Sequence, residues 1–590
     1  MDASAFPCVG IDKASGHDDV LRSLDDLDVD LTALPGSQAT AKASGDKFVA
    51  DYDLPAFNRR GGREVIPSSL VRFGTVKLMR IALLHGNPSS VASNYLTEAV
   101  IGSLPRALSL AQREQIIANT PLSPTLNQLN SLPSDKLAGR TAEGRRLRRS
   151  VLRGAVMVFI TSGYSGKRFI FEKAKELGVR SVLIEGPDSW ARELEREGVI
   201  ERFIGIDMTE SETLFDRIVE AIEGVKRDLG ELDGISSFAE MAMPLVGRLA
   251  ERFGLPGNPP SAIDAARDKH ETRRVMEAAG LPTPRNYLIE TEAQIEAASA
   301  HVGYPAVIKP IFGAASIGVV RVDSLADLRR EFVAVTKELA RAHVVNGGIF
   351  QGDEEDEGKR EGDFKTTIMM EEYLDGPEVD VDLVMSEGQA VYGAVTDNWP
   401  TQEPYFNETG SNMPSLLPAQ QQRELLDLSI KATQALGFQM GVYHVECKYT
   451  THGARLIEVN CRMGGGPVRN INLLVWGVDM VEENLLLCAG IPSRPNIANK
   501  PLTTIAEFSV NSSTTGVLQN TDFCDEAAAM PGVLYARPLA KQGQKVVCVK
   551  DGMPTWVAEL MVQGPDVAQA VDYVKSLEVI LQNNIRVEPL

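Results

Sequence analysis

The stretch "GVYHVECKYTTHGARLIEVNCRMGGG", Gly441–Gly466, places two runs of strand-like alternation around a turn at Thr451, His452 and Gly453. A period of two puts His444, Glu446 and Lys448 on one face of the first run. It puts Glu458, Asn460 and Arg462 on one face of the second. Glu446 and Glu458 lie symmetrically about His452, so a hairpin sets them opposite or nearly so. Like charges facing each other across a strand pair repel. Two carboxylates and an amide form the hard-oxygen cluster that Mg2+ needs, with substrate phosphates and water completing its octahedron. The cation turns the repulsion into attraction. Arg462 on that face suits a phosphate or a developing oxyanion. The plainer reading is a solvated face neutralised by Lys448 and Arg462, and for an isolated hairpin the two readings are even.

Two stretches upstream tip that balance. In "YPAVIKPIFGAASIGVVRV" (304–322) a strand delivers Lys309 to a loop of glycine, alanine and serine, and a second strand follows. An ammonium beside backbone N–H groups left accessible by small residues suits phosphate oxygens. On its own this is a common hairpin pattern. In "TTIMMEEYLDGPEVDVDLVM" (366–385) Glu371 and Glu372 interrupt an apolar strand, followed by Leu374, Gly376 and Glu378. An apolar strand edge with acceptors holds adenine, and a carboxylate holds ribose hydroxyls. The plainer reading is an edge strand with solvated glutamates. The ordered set favours the metal and nucleotide reading over the plainer one.

Composition bounds the class. The 590 residues suggest several packed domains. Hydrophobic residues make up 43%, charged residues 24% and aromatics 6%, an ordinary globular profile. A formal net charge of −20 disfavours general binding to nucleic acid or anionic membranes, while leaving room for a local basic pocket. No apolar run has the length to span a bilayer, and the acidic N-terminus lacks the basic and apolar regions of a signal peptide. A cytoplasmic protein is expected. Cys8, Cys447, Cys461, Cys488, Cys524 and Cys548 are scattered, with no CxxC or zinc-like spacing, and read as reduced core cysteines.

Along the chain, residues 1–75 read as a partly ordered N-terminal extension, and "KLMRIALLHG" (77–86) as a buried strand. "GRTAEGRRLRRSVLRG" (139–154) reads as a solvated helix face. "AVMVFITSGYSGKRFIFEKAKELGVRSVLIEG" (155–186) reads strand, turn, helix, strand, a βαβ unit of a Rossmann-like parallel sheet. Its "SGYSGKR" lacks the spacing of a phosphate loop and is expected to be a tight turn. Residues 232–261 repeat strand then helix. "SAIDAARDKHETRRVMEAAG" (261–280) reads as one helix capped by Ser261 and stopped by Gly280. "QGDEEDEGKREGD" (351–363) is too polar to pack and reads as a mobile loop. From about Pro501 a β-rich piece ends in a helix at 566–580.

The order Lys269, then Lys309 with Gly313–Gly318, then Glu371–Glu378, then Glu446, Glu458, Asn460 and Arg462 resembles the ATP-grasp ligases over about Val151–Leu590. Within them the chain is most similar to amino-acid (dipeptide) ligases of the carnosine-synthase type. The stretches that carry this are "GLPGNPPSAIDAARDK", "VTDNWPTQEPYFNETGSNMPS" and "EVNCRMGGGPVRNINLLVWGVDMVEENLLLCAGI". The resemblance implies an α/β chain of ATP-grasp fold, with an N-terminal Rossmann-like (pre-ATP-grasp) parallel-sheet domain and a C-terminal α+β ATP-grasp portion. The expected division is an extension at 1–75, a Rossmann-like domain at 76–260, an ATP-grasp domain at 261–505 with a lid at about 304–373, and an α+β subdomain at 506–590.

The resemblance further implies adenine at Glu371, Glu372, Tyr373 and Leu374, and ribose at Glu378. Phosphates fall to Lys269, Lys309, Gly313, Ser316 and Gly318. Two Mg2+, with Mn2+ an accepted substitute, fall to Glu446, Glu458 and Asn460, and an acyl phosphate to Arg462. The expected reaction joins the carboxylate of one amino acid to the amine of another through an acyl phosphate, giving ADP and phosphate, with Glu408 a candidate base. A homo-oligomer, dimer or tetramer, is expected to act on small amino acids, with no nucleic-acid or membrane partner. Related ligases often read ETGH where this chain has Glu408-Thr409-Gly410-Ser411. The alternatives are another ATP-grasp chemistry (carboxylation or formyl transfer) and a non-catalytic nucleotide-binding module.

Overall fold

The computed structural model describes residues 140–589 apart from 210–211, 314–315, 341, 346–347, 352–366 and 404. The extension expected at 1–75, the strand expected at 77–86 and all of the charged stretch 351–363 beyond Gln351 lie outside these residues.

A parallel sheet comes first. β1 (Val156–Ile160), β2 (Arg180–Glu185), β3 (Arg202–Gly205) and β4 (Gly234–Ser236) lie in the order β3-β2-β1-β4. β1, the helix Arg168–Glu176 and β2 form the expected βαβ unit, and Ser165–Lys167 makes the tight turn into that helix. Uniformly apolar strands require cover on both faces. Val156, Val158 and Ile160 share a core with Ile218, Ile222 and Val225 of the helix Leu214–Leu229. Met157 and Phe159 point the other way, into a core shared with Leu485 and Leu486 of the helix Met480–Cys488.

The second unit is an antiparallel sheet. β5 (Asn286–Ile289), β6 (Ala306–Pro310), β7 (Val320–Val322) and β10 (Ile368–Glu372) lie in the order β5-β10-β6-β7. β8 (Ala342–Val345) pairs with β9 (Gly348–Gln351). Ile308, Val322 and Met370 pack with Leu328 and Val335 of the helix Leu325–Leu339. β10 is flanked by strands on both sides, so the reading of a solvated edge strand fails, and Glu371 is 3% exposed.

The third sheet has eight antiparallel strands. They are β11 (Glu378–Ser386), β12 (Gln389–Asn398), β13 (Gly410–Met413), β14 (Gly441–Thr450), β15 (Gly453–Asn460), β16 (Thr504–Asn511), β18 (Val533–Pro538) and β20 (Trp556–Gly564). Their order is β15-β14-β11-β12-β13-β16-β20-β18. β17 (Gly516–Leu518), β19 (Lys545–Val546) and β21 (Val587–Pro589) form a small separate sheet. The helix Val567–Asn584, capped by Asp566, covers the C-terminal strands through Val574, Leu577 and Leu581. The expected boundary at 505/506 falls inside β16, which is hydrogen-bonded to β13 on one side and β20 on the other.

Two sequence expectations are corrected. Residues 261–280 form two helices, Pro260–Arg267 and Lys269–Ala278. Asp268 breaks them with extended backbone, and its carboxylate accepts from the N–H groups of His270 and Glu271. The cap belongs to Asp268, and it starts the second helix at Lys269. The basic run is likewise no solvated face. On the helix Ala142–Leu152, Arg145 and Arg149 both reach the fully buried Glu482, at 2.8 and 2.6 Å. Arg148, 2% exposed, donates to the Arg494 carbonyl. Burial pushes the Glu482 carboxyl up, but Arg145 and Arg149 outweigh it and hold it well below the usual range.

Glu482→Gln leaves two guanidinium groups without their carboxylate, a loss of about 3–5 kcal/mol at neutral pH. A depressed carboxylate contributes fully above its unfolded pKa of about 4.3, and the contribution is lost as pH falls through the folded value. Thermal midpoints of wild type and variant should therefore differ most near neutrality and converge in acid. Midpoints separated equally at every pH would contradict the pairing.

Candidate active site

A cavity of about 150 Å³ opens between the second sheet and the face of the eight-stranded sheet. Its lining brings together Lys269, Lys309, Gly313, Ser316, Glu371, Glu372, Tyr373, Leu374, Glu378, Glu408, Glu446 and Glu458. Gly318 lies apart from this lining. Its φ of +72° and the nearness of Val335 and Pro310 to an added Cβ make it a turn and packing glycine. Asn460 and Arg462 stand beside the cavity, joined to it through Glu446 and Glu458.

The hairpin is built as its alternation requires. β14 and β15 pair antiparallel around Thr451 and His452, with Glu446 directly opposite Glu458 and a bulge immediately after Glu446. Asn460 Nδ2 donates to one oxygen of each glutamate, at 3.2 Å. Arg462 Nη2 donates to Asn460 Oδ1 at 3.1 Å. Lys269 Nζ, placed by the Asp268 break, lies 2.6 Å from Glu458 Oε2. Burial raises the Glu446 carboxyl, and Glu458 opposite raises it further. Burial also pushes Glu458 up, but the Lys269 ammonium overrides it and brings its pKa down to about 2. Two hard carboxylates and an amide in this spacing fit Mg2+ completed by phosphate oxygens. Among the described residues no third carboxylate, histidine or cysteine closes an all-protein cage.

The lysine and the acidic strand are locked together. Lys309 on β6 faces Met369 across the ladder, and its ammonium reaches Glu371 Oε1 at 3.0 Å. Arg273 takes both oxygens of Glu371, at 2.9 and 3.1 Å, and donates to the Ile457 carbonyl at 2.7 Å. The Glu371 side chain is thus committed to Lys309 and Arg273 at the wall of the cavity. Glu378 faces Lys448 at 3.5 Å. Gly376 has φ +80°, and a Cβ there would stand 2.1 Å from the Tyr449 carbonyl, so the chain turns from β10 into β11 through a glycine.

Several contributors escaped the sequence reading. Glu240 lies 3.0 Å from Arg462 Nε and 3.7 Å from Arg267. It follows β4 at the carboxyl end of the parallel sheet, where such sheets bind ligands, and that position is the signal that was available. Tyr164, from the "SGYSGKR" turn, lies beside the Gly466 backbone and so reaches the glycine loop after Arg462. Lys167 donates to the Phe238 carbonyl, and burial, then Arg462, lowers its ammonium to about 7. His444 donates to Asp382 at 2.9 Å, and Asn472 donates to the other Asp382 oxygen at 2.7 Å. Burial opposes the imidazolium, but Asp380 and Asp382 raise it to about 10. Glu408 is exposed as a residue, and desolvation of its carboxyl by the surrounding side chains, then Asp380, raises it.

Because the Glu446 carboxyl is raised, ionising it costs stability as pH rises above about 4.3, the unfolded value. In EDTA, the thermal midpoint of Glu446→Gln should therefore gain on wild type from pH 4 upward. Curves that stay parallel would contradict the opposed pair.

Residues 302–470 match the model of the ATP-grasp domain, and 171–257 that of the ATP-grasp N-terminal domain. Human carnosine synthase 1 is 30% identical over 366 residues, covering 60% of this chain and 42% of that protein. The chain thus spans less than half the length of that relative. Alanine–anticapsin ligase of Bacillus subtilis is 28% identical over 276 residues, 46% of this chain and 57% of that enzyme. The L-amino acid ligase structure from Bacillus licheniformis superposes with a TM-score of 0.60 at 20% identity, covering 74% of this chain and 99% of that one. The fold is the ATP-grasp fold. No helix among the described residues is long and apolar enough to cross a membrane.

Proposed function

Because residues 302–470 and 171–257 match ATP-grasp domain models, we propose that the chain is an ATP-dependent ligase that joins the carboxylate of one amino acid to the amine of another. The observation that carries this reading is the opposed pair Glu446 and Glu458, set beside Lys269 and Lys309 in one cavity. That array addresses terminal phosphates. Glu446, Glu458 and Asn460 would hold Mg2+, or Mn2+ in its place, which supplies positive charge to the phosphates of ATP. Adenine lies along the backbone of Glu371–Leu374 and ribose on Glu378.

Lys269 and Lys309 hold the γ-phosphoryl group in line with the donor carboxylate. The carboxylate oxygen attacks phosphorus, the bond to ADP breaks, and an acyl phosphate results. The acceptor amine then attacks the acyl carbon, phosphate leaves, and the proton passes to a base, the role assigned in this reading to Glu408. Arg462 stabilises the tetrahedral oxyanion. The Arg462 pairing with Glu240 aims its guanidinium. The reading includes a cytoplasmic homo-oligomer, dimer or tetramer, acting on free amino acids.

Pairwise amino-acid mixtures, followed by phosphate release and mass spectrometry, test the reading directly. Oxygen-18 in the donor carboxylate should appear in the released phosphate, ADP should match amide, and hydroxylamine should trap a hydroxamate when the acceptor is omitted. AMP with pyrophosphate, unlabelled phosphate, or a requirement for bicarbonate would overturn it.

The site roles have their own test. Glu458→Gln should abolish turnover and weaken nucleotide binding in Mg2+ more than in EDTA. Lys309→Met should raise the ATP requirement about 10- to 150-fold, the equivalent of about 1.5–3 kcal/mol for a lost charge-assisted contact. Unchanged kinetics in either variant would remove that residue from the site.

A further inference from the structure

Four non-glycine residues among those described have positive φ: Thr161, Ser316, Glu387 and Phe406. Two of them meet. Ser316, at φ +57°, lies on the loop between β6 and β7, and Phe406, at φ +52°, lies on the turn between β12 and β13. The Ser316 hydroxyl donates to the Phe406 carbonyl at 3.4 Å across the cavity, and both residues line it. A bulky residue in the left-handed region is a true outlier and persists where its surroundings over-determine it.

A second link ties the same two segments. Arg321, on β7, pairs with Glu403 of the turn at 3.1 Å and stacks 4.5 Å over the Tyr373 ring. The Tyr373 hydroxyl donates to the other Glu403 oxygen at 2.8 Å. The far end of the turn is fixed to the C-terminal strands. Asn511 donates to the Asn407 side chain at 2.6 Å, Trp556 Nε1 to the Glu408 carbonyl at 2.9 Å, and the Ser509 N–H to the Thr409 carbonyl at 2.8 Å. One turn therefore touches the nucleotide lid at one end and the C-terminal strands at the other, with Glu408 at the second attachment.

We propose that Arg321 and Glu403 are positioning residues, a latch through which closure of the lid on the nucleotide sets Glu408 at the acceptor amine. This rests on the ligase reading above. With the latch intact, donor activation and amine attack take place in one assembled site. With it broken, Lys269 and Lys309 still hold ATP and the acyl phosphate still forms, but the amine is poorly placed. Water then attacks the acyl carbon, the bond to the phosphate oxygen breaks, and donor acid and phosphate are released. The net change is ATP hydrolysis without an amide.

The test uses the full-length enzyme with a donor and acceptor pair it joins, and measures ADP and amide together in wild type, Arg321→Gln, Glu403→Gln and the double variant. Wild type should give about one ADP per amide. Each single variant should raise that ratio several-fold and raise the acceptor KM about tenfold, with the ATP KM changed less than twofold. The double variant should lose clearly less than the product of the two single losses, because the singles share one interaction, Arg321 also pairing with Asp323 at 3.1 Å. Ratios that stay at one in the variants, or losses that multiply in the double, overturn the latch while leaving the ligase reading intact. Failure of wild type to form an amide with any pair overturns both.

Discussion

Two glutamates forced to face each other set the terms for the rest of the site. Glu446 and Glu458 stand opposite in a ladder that fixes their backbones, so neither can retreat. The chain surrounds them with compensation in a definite order. Asn460 bridges them with one amide, Lys269 neutralises Glu458, and Arg462 holds Asn460 from outside. Each of these depends on a local structural choice. Lys269 reaches Glu458 because Asp268 interrupts a helix and restarts it one residue later.

A parallel arrangement holds the second sheet to the body. Glu371 takes Lys309 from its own sheet and Arg273 from the helix Lys269–Ala278, and Arg273 continues to the Ile457 carbonyl on β15. This chain of contacts runs from the lysine of the lid to the strand that bears Glu458. Burial makes it strong only while complete, since an isolated charge at any of these points would be costly. The lid is therefore tied by charge at its base and turned by a glycine at Gly376.

The sequence made local features legible and long-range ones opaque. The hairpin was readable from its period of two, but its register was not: Thr450 opposite Gly453 would set Glu446 against Ile457, and the bulge after Glu446 is what brings Glu458 opposite it. The βαβ unit was readable from its apolar strands. The Asp268 break was hidden because helical residues flank it on both sides, and an aspartate within such a run reads equally as a helix surface residue. The arginines of 139–154 were misread because Glu482 lies more than three hundred residues away. Glu240 gave no pattern of its own, since its partner Arg462 comes from another unit. Glu371 was placed in the right strand, but its pairing with Lys309 and Arg273 was not readable, because pairing on both sides of β10 follows from topology and not from composition.

The continuity of the large sheet has a consequence for how this chain can vary. β13 spans four residues, with β12 on one side and β16 on the other. Trimming the chain before β16 would turn β13 into a bare edge, with open N–H and C=O groups next to an apolar core, a template for association with other chains. The lid differs. Its strands pair among themselves, so exchanging it with a counterpart would leave the ladders of the eight-stranded sheet intact. Swapping segments between relatives should thus be tolerated in the middle of the chain and resisted at its C-terminal end, for reasons of exposed backbone and not of chemistry at the site.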